Sequence, residues 1–237
     1  MGRRHLKMEV LDPLPFDLDR ECLQRELQVE RTRAQEAFRS AFEMARDRVT
    51  GMAGYAVQYV EDRTKDGVVI GGISFQSRVL RKNLEYVGRV FPYAVTIGPA
   101  LEEEVDHLED LLEKYYLDAI GNAALFRARK ALEDALRSRF SLDGLAFMSP
   151  GSLKDWPIQE QKPLFSLLDG VARAVGVELT ENCLMIPKKS VSGIYFPTET
   201  AYYNCQLCPL ERCAGRKAPY SPELAQVYGI ANNRKEA

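Results

Sequence analysis

The sequence predicts an α+β fold on three observations. Long helical patterns stand beside short β-rich runs, the runs fall in hairpin-like pairs, and no strict strand–helix–strand alternation is present to build a doubly wound sheet. With 237 residues, 46% of them hydrophobic, the chain can bury a core without disulfide staples. Its spacing divides into an N-terminal arm (1–18), a single α+β domain (19–203) and a cysteine-rich C-terminal tail (204–237).

Each element follows from its local pattern. In "LDPLPF" two prolines block a helix and predict an extended arm lying on the body. Over 19–49, Leu23, Leu27, Ala34, Phe38, Phe42 and Ala45 recur at three, four or seven residues, which predicts one long helix ended by the glycines of "VTGMAG". "VVIGGISF" and "FPYAVTIG" read as buried strands. Pro99 opens a helix whose early acids suit the positive end of its dipole. The next helix, "LDAIGNAALFRARKALEDALRSRF", lays Leu117, Ile120, Ala124, Ala128, Ala131 and Ala135 along one narrow face made for close packing. A Pro- and Gly-rich loop, "FMSPGSLKDWPIQEQKP", leads to an amphipathic helix in "LFSLLDGVARAV", and "CLMIP" and "VSGIYF" read as strands before the tail.

Charge and hydropathy narrow the function. A net charge of −2 with no long run of one sign lacks the basic footprint of a nucleic-acid binder. No stretch approaches the apolar length of a membrane span, and "MGRRHLKMEV" has no apolar segment behind its basic residues, so a cytoplasmic protein is expected. The five cysteines are an odd number, and three of them gather as Cys205-x2-Cys208-x4-Cys213. That spacing suits metal or redox chemistry better than a disulfide framework. Three thiolates fit a 4Fe-4S iron–sulfur cluster with an outside ligand; zinc would have to borrow Cys183, Cys22 or Glu211, because His5 and His107 lie far off in sequence. Inert thiols are the plain alternative, with Arg212, Arg216 and Lys217 as either a charge-balancing set or a solvated basic stretch.

Four motifs in order, "SPG" (149–151), "SLLD" (166–169), "GVELTENCLMIPKKSVSGIYF" (176–196) and the pair Tyr202 and Tyr203, resemble the activation domain of cobalamin-dependent methionine synthase. The resemblance extends weakly to "YAVTIGPALEEE" and "LDAIGNAAL", as in free-standing homologues of that domain. It implies a twisted antiparallel sheet flanked by helices, S-adenosylmethionine as ligand, and a corrinoid protein presenting its cobalamin as partner. The candidate cofactor-binding residues are Gly151, Glu181, Ser192, Gly193, Tyr202 and Tyr203, which fall in or beside the resembling motifs, and Asp155 and Trp156, singled out in the central loop by residue type. Two positions depart from the family's loop: Phe147 stands where its arginine is expected and Ser152 where its tyrosine is. Losing an arginine removes a bidentate contact to a carboxylate, which Lys154 or Arg139 would have to replace.

Together these expectations describe an accessory factor for reductive activation of a corrinoid protein in one-carbon metabolism. In the leading form it carries an iron–sulfur cluster fed by an electron donor protein. The alternatives are an S-adenosylmethionine-binding reductive methylation module and a zinc-stabilised subunit of a methyltransferase or reductase complex. Each residue also has a plain structural role open to it. Trp156 either covers a flat macrocycle or joins the core, Asp155 is its unassigned neighbour, and Glu181 either binds an amine or edges a strand. Gly151 and Gly193 allow positive φ or close backbone approach. On a strand, Tyr202 and Tyr203 would face opposite ways, so one lines a groove and the other packs.

Overall fold

The computed structural model describes residues 8–199, 202–213 and 216–230. In chain order the elements are β1 (Met8–Leu11), α1 (Arg20–Glu26), α2 (Thr32–Arg48), β2 (Met52–Ala56), β3 (Gln58–Arg63), β4 (Gly67–Ile70), β5 (Ile73–Gln76) and α3 (Arg78–Asn83). Then come β6 (Arg89–Thr96), α4 (Ala100–His107), α5 (Leu111–Phe140), β7 (Leu145–Met148), α6 (Gln161–Ala174), β8 (Glu178–Leu179), β9 (Met185–Ile186), β10 (Ser190–Pro197) and α7 (Pro222–Val227).

The fold is the expected α+β type, with one eight-stranded sheet whose ladders are antiparallel. Strand β6 is its centre. One edge pairs with β10, and the other with β2 over Tyr93 to Thr96 and with β3 over Arg89 and Val90. Outward from there, β1 continues the sheet on β2, β4 and β5 continue it on β3, and β7 closes it beyond β10. Helices cover both faces, so β6 is buried along nearly its whole length and reads as an unbroken apolar run. Its side chains still alternate: Phe91, Tyr93 and Val95 pack toward α2 and α5, while Val90 and Ala94 pack toward α3 and α6.

Several local expectations change. The arm is partly a strand, because β1 pairs with β2 from Met8 opposite Ala56 to Leu11 opposite Ala53. The single helix over 19–49 is two, since Gln28 adopts φ 51 and breaks the chain between α1 and α2. "VVIGGISF" is a hairpin, its turn made by Gly71 and Gly72 at φ 56 and φ 80, which a two-residue turn of this hand requires. Helix α5 starts at Asp110, whose carboxylate accepts from the Leu112 and Glu113 amides at 2.7 and 3.2 Å. Its buried face continues from Ala128 to Leu132 and Leu136 instead of Ala131 and Ala135. Ala37, Ala41 and Ala45 of α2 are buried in the same core as Ala124 and Ala128, and these small side chains let the two helices approach closely.

The cysteine-bearing segment is not a separate tail. Leu207 is buried, Ala225 of α7 is buried, and both belong to the core formed with α3 and α6. No helix among the described residues is long and apolar enough to cross a membrane.

Candidate functional site

Beyond β10, β7 is an edge strand, and α5 runs beside it. The space between them is a cleft of about 510 Å³, closed on its open side by Tyr202, Tyr203 and Lys217. The Phe147 side chain points toward α5, and the Arg129 guanidinium lies 4.1 Å from the centre of its ring. Arg129 Nη1 donates to the Tyr195 hydroxyl at 2.8 Å, and that hydroxyl donates to the Arg129 carbonyl at 3.2 Å. Glu133, one turn on, stands 3.6 Å from Arg129 and accepts from Lys130 Nζ at 2.9 Å. Lys217 places its ammonium 4.4 Å from the centre of the Phe126 ring. The cleft is therefore walled by aromatic rings whose faces already carry cations.

Burying an ionised group is costly unless it is paired, and Arg129 is buried. Burial opposes its charge, but Tyr195, Tyr93 and Glu133 outweigh that and hold its pKa above the ordinary arginine value. Burial is the main force raising the Tyr195 and Tyr93 phenols above the usual tyrosine range, so both stay neutral, with Tyr195 donating to the Arg129 carbonyl. Lys217 is pushed the other way, first by burial and then by the Arg129 charge. The result is a partly desolvated cleft in which Arg129, Lys130, Arg137 and Lys217 outnumber two carboxylates, the partly buried Glu133 and the exposed Glu199. Such a set binds a ligand bearing both a carboxylate and a cationic centre.

Two buried hydroxyls, Tyr93 Oη and Ser149 Oγ, have no hydrogen-bond partner, although Ser149 lies close enough to ease the phenol's burial slightly. They converge above Gly193, where a Cβ would stand 2.4 Å from the Met148 carbonyl oxygen, 2.7 Å from Ser149 Oγ and 3.0 Å from Tyr93 Oη. Gly193 thus admits the close passage of β7 and the following loop across β10.

The remaining expected residues are divided between structure and site. Gly151 turns the chain with φ 84 and lines a second cleft of about 800 Å³, formed by 151–155 and 207–212. Asp155 accepts from the Ser77 hydroxyl at 2.6 Å and the Val79 amide at 2.9 Å, so it fastens the start of α3. Trp156 is wholly buried, edge-on to Phe75, and is a core residue that presents no face to a macrocycle. Ser192 is buried and donates to Gln161 Oε1 at 2.7 Å, while Glu181 is exposed in the turn between β8 and β9. Tyr202 packs between Phe196 and Tyr228, and burial raises its phenol pKa. Tyr203 keeps 43% of its surface exposed at the cleft. One tyrosine packs and the other is available, but the cause is the start of a 3-10 turn at Asn204–Leu207 and not strand alternation.

Neither Lys154 nor Arg139 is placed beside Phe147: Lys154 lines the second cleft, and Arg139 pairs with Glu9 of β1 at 2.8 Å. The guanidinium laid on the Phe147 ring is that of Arg129, from α5. Its signal in the sequence was an arginine next to the Ala124 and Ala128 face with a glutamate four residues later.

The expected convergence of Cys205, Cys208 and Cys213 does not occur. Cys205 and Cys208 are half-buried at the 3-10 turn, Cys213 is exposed, and among the described residues no group of three His, Cys, Asp or Glu side chains is placed to hold a metal ion. The chain between them wraps the Arg216 guanidinium, which takes the carbonyls of Cys205, Cys208, Leu210 and Ala218 as acceptors. That arrangement turns the backbone inward around a cation. Cys183 is buried as expected of a core thiol, and Cys22 donates to Glu26 on the surface of α1.

Comparisons with known proteins agree with this architecture. No curated protein matches the chain. A solved structure described as the crystal structure of the MetH reactivation domain bound to AdoHcy is similar, with a TM-score of 0.56 and 17% identity, over 84% of this chain and 81% of that one. Residues 151–215 match the family model of the vitamin B12 dependent methionine synthase activation domain. The chain thus shares the fold of that reactivation domain, and the segment from the Pro-Gly loop through the cysteine turn carries the activation-domain sequence pattern.

Proposed function

We propose that this chain is an adenosyl-ligand-binding activation module that serves a corrinoid protein in methyl-transfer metabolism. The observation that carries the reading is a coincidence of place. The 151–215 segment that matches the activation-domain family contains Tyr202 and Tyr203, which border the cationic cleft beside β7, and the structurally similar reactivation domain is described as bound to AdoHcy. A cleft of about 510 Å³ falls within the usual range for small-molecule sites.

The donor set suits such a ligand. Arg129, Lys130 and Lys217 offer positive partners to its carboxylate, Glu133 offers a negative one to its ammonium, and the exposed ring of Tyr203 offers a face to a flat base. S-adenosylmethionine, when bound, supplies the methyl group of a reductive methylation. Tyr195 fixes the Arg129 guanidinium, so little freedom is lost when a ligand docks against it. The iron–sulfur form of the reading has no assembled site in support among the described residues, and the proposal does not rest on it.

Calorimetric titration with S-adenosylhomocysteine tests the proposal. Saturable binding should weaken about tenfold or more in Arg129→Ala and in Lys217→Ala, the loss expected of one charge-assisted contact, and should persist in Lys154→Ala at the other cleft. No heat with the unaltered chain would remove the function, and binding lost in Lys154→Ala alone would move the site.

A further inference from the structure

The cysteine turn has an arrangement that the ligand cleft does not use. The Cys208 amide donates to the Cys205 carbonyl at 3.3 Å, closing a turn of three residues' span. Such a turn keeps its end Cα atoms within about 7 Å, and a disulfide spans Cα atoms about 4.4–6.8 Å apart. Two thiols at its ends can therefore join without unfolding the loop. Arg216 holds both residues by their carbonyls, at 3.1 Å to Cys205 and 3.3 Å to Cys208, so the turn is fixed from beneath. Among the described residues the hydrogen-bond partners of that guanidinium are backbone carbonyls, so it fixes the path of the chain between the two cysteines. The Lys217 amide donates to Cys205 Sγ at 3.4 Å. Cys208 lines the 800 Å³ cleft, where a small molecule can reach it.

We propose that Cys205 and Cys208 form a redox-active dithiol that reduces a low-molecular-weight disulfide and closes as an intramolecular disulfide. The Cys208 sulfur, as thiolate, attacks one sulfur of the incoming disulfide, forming a mixed disulfide and expelling the first thiolate, which takes up a proton. The Cys205 thiolate then attacks the Cys208 sulfur, the second thiolate leaves and is protonated, and the protein disulfide is complete. The pair loses two electrons and two protons, and the incoming disulfide becomes two thiols. The Lys217 amide meets the Cys205 sulfur through which the second exchange passes, while Arg216 holds the two cysteines by their carbonyls. Cys213 is exposed on the same loop but takes no part, because it stands outside the closed turn.

The whole chain, purified anaerobically, is titrated with oxidised glutathione, quenched with an alkylating agent and mapped by mass spectrometry. The expected product is a Cys205–Cys208 disulfide that forms equally in Cys213→Ala. In Cys205→Ser the reaction should stop at a glutathione adduct on Cys208, which persists about tenfold longer or more than in the unaltered chain because intramolecular resolution is lost. Should Cys205→Ser fold poorly, the map of the unaltered chain decides alone. A disulfide that includes Cys213, adducts that never close, or thiols kept from alkylation by a co-purified metal would each overturn the proposal.

Discussion

Gly193 shows how little space separates the strands at the site. A methyl group there would enter the Met148 carbonyl oxygen, a backbone atom that cannot swing aside, and would press the two unpartnered hydroxyls of Tyr93 and Ser149. Gly193→Ala should cost about 2–3 kcal/mol, toward the top of the range for overpacking, read as a lower urea midpoint with unchanged slope. The sequence pointed to close approach at this glycine, since Ser-Gly-x-Tyr-Phe sits in a buried run. It placed Arg129 beside the alanine face of a helix but could not pair it with Phe147, because that helix precedes the strand in the chain and only the fold brings the two together. Trp156 and Asp155 drew attention by residue type, yet their neighbours Phe75, Ser77 and Val79 are about eighty residues away in sequence and make them structural.

At the scale of elements, α5 positions most of the cleft's charged side chains, and its start is set by one side chain. The Asp110 carboxylate is held below its ordinary pKa by the Leu112 and Glu113 amides it caps. A carboxylate whose folded pKa is depressed contributes stability above its unfolded pKa and loses it as pH falls through the folded value. The stability difference between the unaltered chain and Asp110→Ala should therefore be constant near neutrality. It should shrink as pH drops below 3.8, the unfolded value, as followed by chemical denaturation at each pH. The long helical stretches were legible as periodicity, but the Gly71-Gly72 turn falls inside a run that reads as one buried strand. The break between α1 and α2 was not legible, because Gln28 in a left-handed conformation carries no sequence signature such as glycine would. The small-residue face of α5 was legible as far as Ala128. Past it, the 3.6-residue period carried the buried stripe one position on, to Leu132 and Leu136.

For the whole molecule, one sheet covered on both faces leaves β7 as an edge, and the segment after β10 folds back to wall the cleft there. Helical patterns beside short β-rich runs revealed the class of fold, but strand order depends on pairings between segments far apart, such as β6 with β10, which local pattern does not encode. The cysteine spacing suggested a metal site, whereas the chain wraps an arginine. Backbone carbonyls bonded to Arg216 shape that loop, and a reading of side-chain types alone does not register them. The proposed adenosyl ligand would lie between α5 and β7 against the Arg129 guanidinium. A crystal structure of the chain grown with S-adenosylhomocysteine tests this most directly: ligand density is expected in that cleft with its carboxylate beside Arg129 or Lys217, and density in the cleft lined by Gly151 and Lys154, with the β7 cleft empty, would overturn the assignment.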